Sequence, residues 1–229
     1  TSHAFNVNLY RKLPYDMNRD FAAVSLIATA PNMLVVNASL PAMTVQELVA
    51  LARSRPREIL FASSGAGSAS HLAGELFRSA AKIDLAHVPY KGASPALVAL
   101  LAGEVQVVFF SIPSTLPHLK SGKLRALAMG SARRSTLLPD LQTVAESGVS
   151  GYDASTWYGI VAPARVRRPV IDALHTATAD IMNKASMRTR LSGQGAEPRS
   201  AGPAEFAAFL RAEIDKYRRL ARELGMQPE

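Results

Sequence analysis

The stretch Ile59-Leu60-Phe61-Ala62-Ser63-Ser64-Gly65-Ala66-Gly67-Ser68-Ala69-Ser70-His71 reads as a short apolar strand, a glycine- and serine-rich turn, and the first turn of a helix. Leu72, Leu76 and Phe77 continue that helix along one face. Gly65 and Gly67 let the backbone take positive φ and let another molecule approach without meeting a Cβ. The free amides of the helix start and the hydroxyls of Ser64 and Ser68 would point outward with partial positive charge, a seat for carboxylate or phosphate. Two nucleotide fingerprints fail. Ser70 stands where the dinucleotide pattern wants its third glycine, and no Gly-Lys-Ser/Thr follows at the Walker distance. Taken alone, a glycine-serine turn between strand and helix is more often plain loop chemistry; where it does bind, a small anion is the ligand class that remains.

Outward from this turn the chain alternates. Strands are expected at 59–62, 85–89, 105–110 and 124–129, and helices at 69–81, from Ser94 with Pro95 at its first position to the stop at Gly103, and at 115–120. The run at 105–110 is apolar throughout, which suits a strand buried on both faces. Repeated strand–helix units predict a small parallel sheet with helices on both faces and ligands at the carboxyl ends of the strands. Those ends are the turns 63–68, 90–94, 111–114 and 130–134. Thr44 with Glu47, and Thr143 with Glu146, form capping boxes. Residues 21–36 lean toward β structure and break at Pro31-Asn32, and the polar opening carries Leu9 and Tyr10 as isolated apolar pins. After residue 150 come a strand at 157–161 and amphipathic helices at 169–183 and 203–224, the last closed by Gly225. Their apolar faces have few strands left to cover.

A chain of 229 residues with 48% hydrophobic content buries a large core in one domain or two lobes. Its net charge of +8 raises nucleic acid as a partner. The basic residues fall instead in small groups along the whole chain, with few aromatics and no finger or RNA-recognition signature, so no nucleic-acid partner is expected. The absence of cysteine excludes thiol chemistry, disulfides and cysteine metal sites. No apolar run reaches the roughly 18 residues of a spanning helix. The chain opens at Thr1 without a signal peptide, the expectation for a processed or truncated product. The five histidines never lie within three or four residues of one another, no Gly-x-Ser-x-Gly elbow occurs, and Asp84, Glu104 and Asp153 read as caps or surface acids. No catalytic residue, metal or cofactor is therefore assigned. His71 either bonds nearby backbone or contacts a ligand. Lys91, at a strand end, either lends charge to an anion or is solvated, and Trp157 is either packing or a cleft wall.

Three motifs then carry a resemblance: Ala62-Ser63-Ser64-Gly65-Ala66-Gly67-Ser68-x-x-His71-Leu72, His87-Val88-Pro89-Tyr90-Lys91-Gly92-x-x-Pro95, and Pro117-His118-Leu119-Lys120-Ser121-Gly122-Lys123-Leu124-Arg125-Ala126-Leu127-Ala128. With Leu9-Tyr10-x-Lys12-Leu13-Pro14-Tyr15-Asp16, Pro139-Asp140-x-x-Thr143-Val144-Ala145-Glu146 and Gln194-Gly195-Ala196-Glu197-Pro198, the whole chain resembles the Bug-type extracytoplasmic solute receptors of tripartite tricarboxylate transporters. The resemblance implies an α/β, two-lobed periplasmic binding protein of type II, Venus-flytrap kind, with one lobe incomplete at its N-terminus. Lobe two would be 37–156; lobe one would be 1–36 and 157–229, with crossing strands at 34–36 and 158–161. It implies a monomer in the periplasm, without catalysis, that captures a di- or tricarboxylate or related organic acid and delivers it to membrane permease subunits. Carried over by motif, the ligand-binding positions are Ser64, Gly65, Gly67, Ser68, Lys91, Gly92 and Ser111 in lobe two. Ser2, Trp157 and Tyr158 would lie on the side of lobe one or the hinge. Phe110-Ser111 stands where many members carry an acid and asparagine, which leans the ligand away from amino acids. The alternative is an enzyme acting on a carboxylate on a similar scaffold; a nucleophile hydrogen-bonded to a histidine at the cleft would favour it.

Overall fold

The structure, a computed structural model, describes residues 1–6 and 12–223. The expected pins Leu9 and Tyr10 and the closing Gly225 lie outside them. In chain order the elements are α1 (Ser2–Asn6), β1 (Phe21–Ala30), β2 (Asn32–Asn37), α2 (Val45–Ser54), β3 (Leu60–Ser63), α3 (Ala69–Ala81), β4 (Ala86–Pro89), α4 (Ala93–Ala102), β5 (Val107–Ser111), α5 (Ile112–Lys120), β6 (Leu124–Met129), β7 (Thr156–Pro163), α6 (Arg168–Asn183), α7 (Ala185–Gly193), β8 (Glu197–Ala201) and α8 (Pro203–Glu223). They form two compact units, Pro31–Ser155, and Thr1–Ala30 together with the chain from Thr156 onward.

In the unit Pro31–Ser155 a five-stranded sheet has the order β4-β3-β5-β2-β6. β3 runs parallel to β4 and β5, whereas β2 is antiparallel to both β5 and β6. The four strands expected to be parallel therefore are, with β2 inserted against them. This moves the boundary: β2 belongs here rather than to the other lobe, and the division falls at 30/31 and 155/156 instead of 36/37 and 156/157. Every residue of β2 is buried, so the strand needs cover on both faces, which this sheet supplies.

The strands alternate between two cores. Leu34, Val36, Phe61, Val107 and Phe109 pack with Leu48 of α2 and Ala73 and Phe77 of α3. Met33, Val35, Ala62, Val108 and Phe110 pack with Ala96, Ala99 and Leu100 of α4 and Ile112 of α5. Full burial of a side chain such as Phe61 or Leu48 contributes about 1.5–3 kcal/mol. In β6 the register shifts by one residue opposite Leu34 and Val35. Leu127 and Ala128 consequently both join the α2–α3 core, as a β-bulge allows.

Local chemistry sets the helix boundaries. α2 starts at its capping box, with Glu47 N–H donating to Thr44 Oγ1 at 3.1 Å and Thr44 N–H to Glu47 Oε2 at 3.2 Å. The Thr143–Glu146 box makes both of its bonds, at 3.0 and 2.8 Å, but closes turns rather than a helix. α4 begins one residue before the expected cap, with Gly92 as N-cap at φ +118° and no side-chain cap from Ser94. The Gly92 amide is held by the Ser64 carbonyl at 3.2 Å, so the chain turns there. α5 starts at Ile112, three residues earlier than expected, with Pro113 tolerated in its first turn.

In the other unit β7-β1-β8 form an antiparallel sheet. β8 and α7 escape sequence periodicity: β8 carries Pro198, which only an edge strand accepts, and α7 buries no residue. The stripe Phe206, Leu210, Ile214, Tyr217 and Leu220 of α8 is buried as its spacing predicts. On α6 only Ile171 and Met182 of the expected face are buried; Val170, Leu174 and Ile181 remain exposed.

One contact tests the packing of the sheet on α3. A Cβ on Gly74 would sit 2.2 Å from the Phe61 ring. Alanine gains about 1 kcal/mol of helix propensity over glycine, whereas overpacking a core costs about 1–3 kcal/mol. Because both Gly74 and Phe61 are buried, the clash dominates: Gly74→Ala is expected to lower the free energy of unfolding by about 1–2 kcal/mol in urea titrations.

Candidate functional site

β3, β4, β5 and β6 point the same way, so their carboxyl ends share one edge of the sheet. Three of them pass directly into helices there, α3, α4 and α5. Each helix start carries unpaired amides and a partial positive charge. This edge is the candidate site.

The glycine loop is held by a closed set of bonds. Ser64 N–H donates to Ser70 Oγ at 2.9 Å, Gly65 N–H to Ser63 Oγ at 3.2 Å, and Gly67 N–H to His71 Nδ1 at 3.1 Å. Ser68 is the N-cap of α3 and accepts from His71 N–H at 3.2 Å. Tyr90 N–H and Gly92 N–H donate to the Ser63 and Ser64 carbonyls at 3.0 and 3.2 Å, tying the β4 turn to this loop. Gly65, at φ +130°, is required by that approach, since a Cβ would lie 3.3 Å from the Tyr90 carbonyl oxygen.

The Gly65 and Gly67 amides are both engaged within the chain, by Ser63 Oγ and His71 Nδ1. Within the loop 63–71 the amides left without a partner in the chain are those of Ala66, Ala69 and Ser70. Hydroxyls add to them. Ser70 Oγ lies 3.0 Å from Ser64 Oγ and 3.1 Å from Ser68 Oγ. Three hydroxyl protons share two contacts, so at least one is left for an acceptor outside the cluster. Ser70 was missed from sequence because it sits inside the helix, where a serine carries no capping signal.

Gly92 and Ser111 lie on the neighbouring turns of the same edge. Ser111 is the N-cap of α5; its Oγ is 3.2 Å from Ser114 Oγ, and its carbonyl accepts from the Ser114 and Thr115 hydroxyls. Lys91 is exposed, with no ion-pair or hydrogen-bond partner among the described residues. Phe110 packs in the α4–α5 core and is 5% exposed.

The remaining sequence candidates, Ser2, Trp157 and Tyr158, belong to the other unit. Ser2 begins α1. Trp157 is buried: its Nε1–H donates to Glu213 Oε2 at 2.8 Å, and its ring meets Phe206 and Phe209 edge-on at 5.9 and 5.4 Å. Its ring packs in the β7–α8 layer. Tyr158, its neighbour on the opposite face of β7, is 51% exposed.

Below the glycine loop, Ser63 Oγ lies 2.7 Å from His87 Nε2, the kind of pair that would favour an enzyme. Ser63 has no exposed surface, so its hydroxyl reaches no substrate. Among the described residues no group of three potential metal ligands occurs, and no helix is long and apolar enough to cross a membrane.

The family model described as "Tripartite tricarboxylate transporter family receptor" matches residues 1–226. Protein BugT of Bordetella pertussis is 35% identical over 224 residues, which span 97% of this chain and 68% of BugT. The solved structure of Rpa4515 from R. palustris with adipate superposes with a TM-score of 0.87 at 36% identity, over 100% of this chain and 76% of that one. The periplasmic binding protein BugD superposes with a TM-score of 0.85 at 27% identity, over 100% of this chain and 77% of that one. The matching family is one of transporter receptors, and the fold is that of periplasmic binding proteins such as BugD. With the family model covering the chain almost from end to end, this protein belongs to the tripartite tricarboxylate transporter family of receptors.

Proposed function

We propose that this protein is a periplasmic receptor that captures a small organic carboxylate and passes it to the membrane subunits of a tripartite transporter. The observation that carries the reading is the shared sheet edge: three helices start there, beside a serine cluster with more hydroxyl protons than internal contacts. Such an edge favours a compact anion without needing a fixed positive charge. The family match supports the transport role, and the adipate in the structure of Rpa4515 supports the carboxylate class. The likeness to BugD, a periplasmic binding protein, supports the compartment.

On this reading the carboxylate sits against the amides of Ala66, Ala69 and Ser70 and the hydroxyls of Ser64 and Ser68. Lys91 adds attraction that is screened by salt. Gly65, Gly67 and Gly92 act by shaping the turns, and Ser111 by starting α5 beside them.

Isothermal titration against adipate, malate, citrate, glutamate and benzoate tests the proposal. Saturable binding of at least one aliphatic di- or tricarboxylate is expected, and silence across the whole panel would overturn it. A hydrogen bond to a charged group is worth about 1.5–3 kcal/mol, so Ser64→Ala is expected to weaken binding by about tenfold or more while leaving the Ser68 cap intact. Undiminished affinity in both Ser64→Ala and Ser68→Ala would remove the serine cluster from the binding surface.

A further inference from the structure

Two histidines are stacked beneath the glycine loop. The His71 ring, from α3, lies 4.1 Å from that of His87, from β4, at an interplanar angle of 19°. His87 in turn lies 4.7 Å from the Phe61 ring at 24°. The pair holds both loop glycines from below. Gly67 N–H donates directly to His71 Nδ1, and Gly65 N–H reaches His87 through Ser63 Oγ. With these amides drawn inward, the loop is left with the Ala66, Ala69 and Ser70 amides and the serine hydroxyls as its donors.

Building on the carboxylate-receptor reading, we propose that His71 and His87 are positioning residues for ligand binding. They form a neutral stacked pair that sets the loop in the shape presenting those donors, and neither touches the ligand. Neutrality is part of the design. A bare Nδ1 on His71 is what the Gly67 amide requires, and the ring then carries its proton on Nε2, 3.7 Å from Glu75 Oε1. The charged groups facing the pair among the described residues are Glu75 and Arg78 of α3 and Asp84 ahead of β4. Arg78 donates to both Glu75 oxygens at 2.9 Å and to Asp84 at 3.1 Å. Burial, followed by the Arg78 charge, lowers His71 to about 4; burial, then His71 and Arg78, lowers His87 to about 3. Both rings therefore remain uncharged across the ordinary pH range.

The experiment is a titration of the full chain with whichever acid of the panel above binds most tightly, compared among wild type and two variants. His71→Phe keeps a stacking ring and loses the acceptor, and its affinity is expected to fall about tenfold. His71→Asn places an amide oxygen where Nδ1 stood and is expected to recover most of that loss. Wild-type affinity in His71→Phe, or no recovery in His71→Asn, overturns the proposal. Should His71→Phe fail to fold, Ser63→Ala carries the same test by cutting the link from His87 to Gly65, and unchanged affinity there overturns it equally. Nitrogen-15 spectra of the wild type supply a readout independent of affinity: a bare Nδ1 on His71 is expected, and an Nδ1–H signal contradicts it. If the wild type binds none of the acids, the carboxylate reading itself fails and takes the positioning role with it. Binding by the wild type with indifferent variants overturns the positioning role alone.

Discussion

Strands that are apolar on both faces constrain everything else in the unit Pro31–Ser155. β2 and most of β3 and β5 have no solvent-facing side, so helices must cover both faces of the sheet. A parallel strand also reaches its neighbour only through a crossover, and a helix is the compact way to make one. β3, β4 and β5 therefore each turn into a helix at the same edge, where three sets of unpaired helix-start amides collect. The partial positive charge of that edge is a by-product of how the core is covered. Only the details of the turns remain to choose the ligand.

Those details amount to a competition for amides. Within residues 64–67, three of the four N–H groups are taken by Ser70, Ser63 and His71. The glycines serve that inward folding: Gly65 makes room for the Tyr90 carbonyl, and the β4 turn then locks onto the loop through two backbone bonds. What faces outward is a mixture of a few amides and rotatable hydroxyls. Hydroxyls re-aim their protons at little cost, so they suit carboxylates of differing length and geometry better than a rigid nest of glycine amides would.

The regular part of this unit was readable in the residues because each signal was local. β6 and α3 have the limits that their apolar runs and spacing predict, and the Thr44–Glu47 box opens α2 as expected. The errors came where a distant partner decided the outcome. β2 looks like any apolar strand until β5 and β6 are seen on either side of it. Gly92 overrides Ser94 as the cap because the Ser64 carbonyl, 28 positions earlier, holds its amide. The orientation of Trp157 depends on Glu213, 56 residues away, which accepts its indole proton. The candidate site divides in the same way. Its place at the carboxyl ends of the strands follows from topology, whereas the roles of Ser63, Ser70 and His87 depend on contacts across β3, α3 and β4 that no spacing reveals.

The chemistry of the edge also fits a protein that must give its ligand up. The half-buried cation near the loop, Arg78, is engaged by Glu75 and Asp84 beneath the histidine stack. The nearby Lys91 is exposed and its field is screened. Four hydrogen bonds from neutral donors to a carboxylate supply about 6–12 kcal/mol before the cost of immobilising the ligand. A micromolar complex needs about 8 kcal/mol. Neutral amides and hydroxyls thus hold a carboxylate with moderate strength once that cost is subtracted, and a buried ion pair would add strength that delays release. An uncharged imidazole pair under the loop follows from the same logic: it orders the donors without adding a fixed charge that the departing carboxylate would have to leave behind.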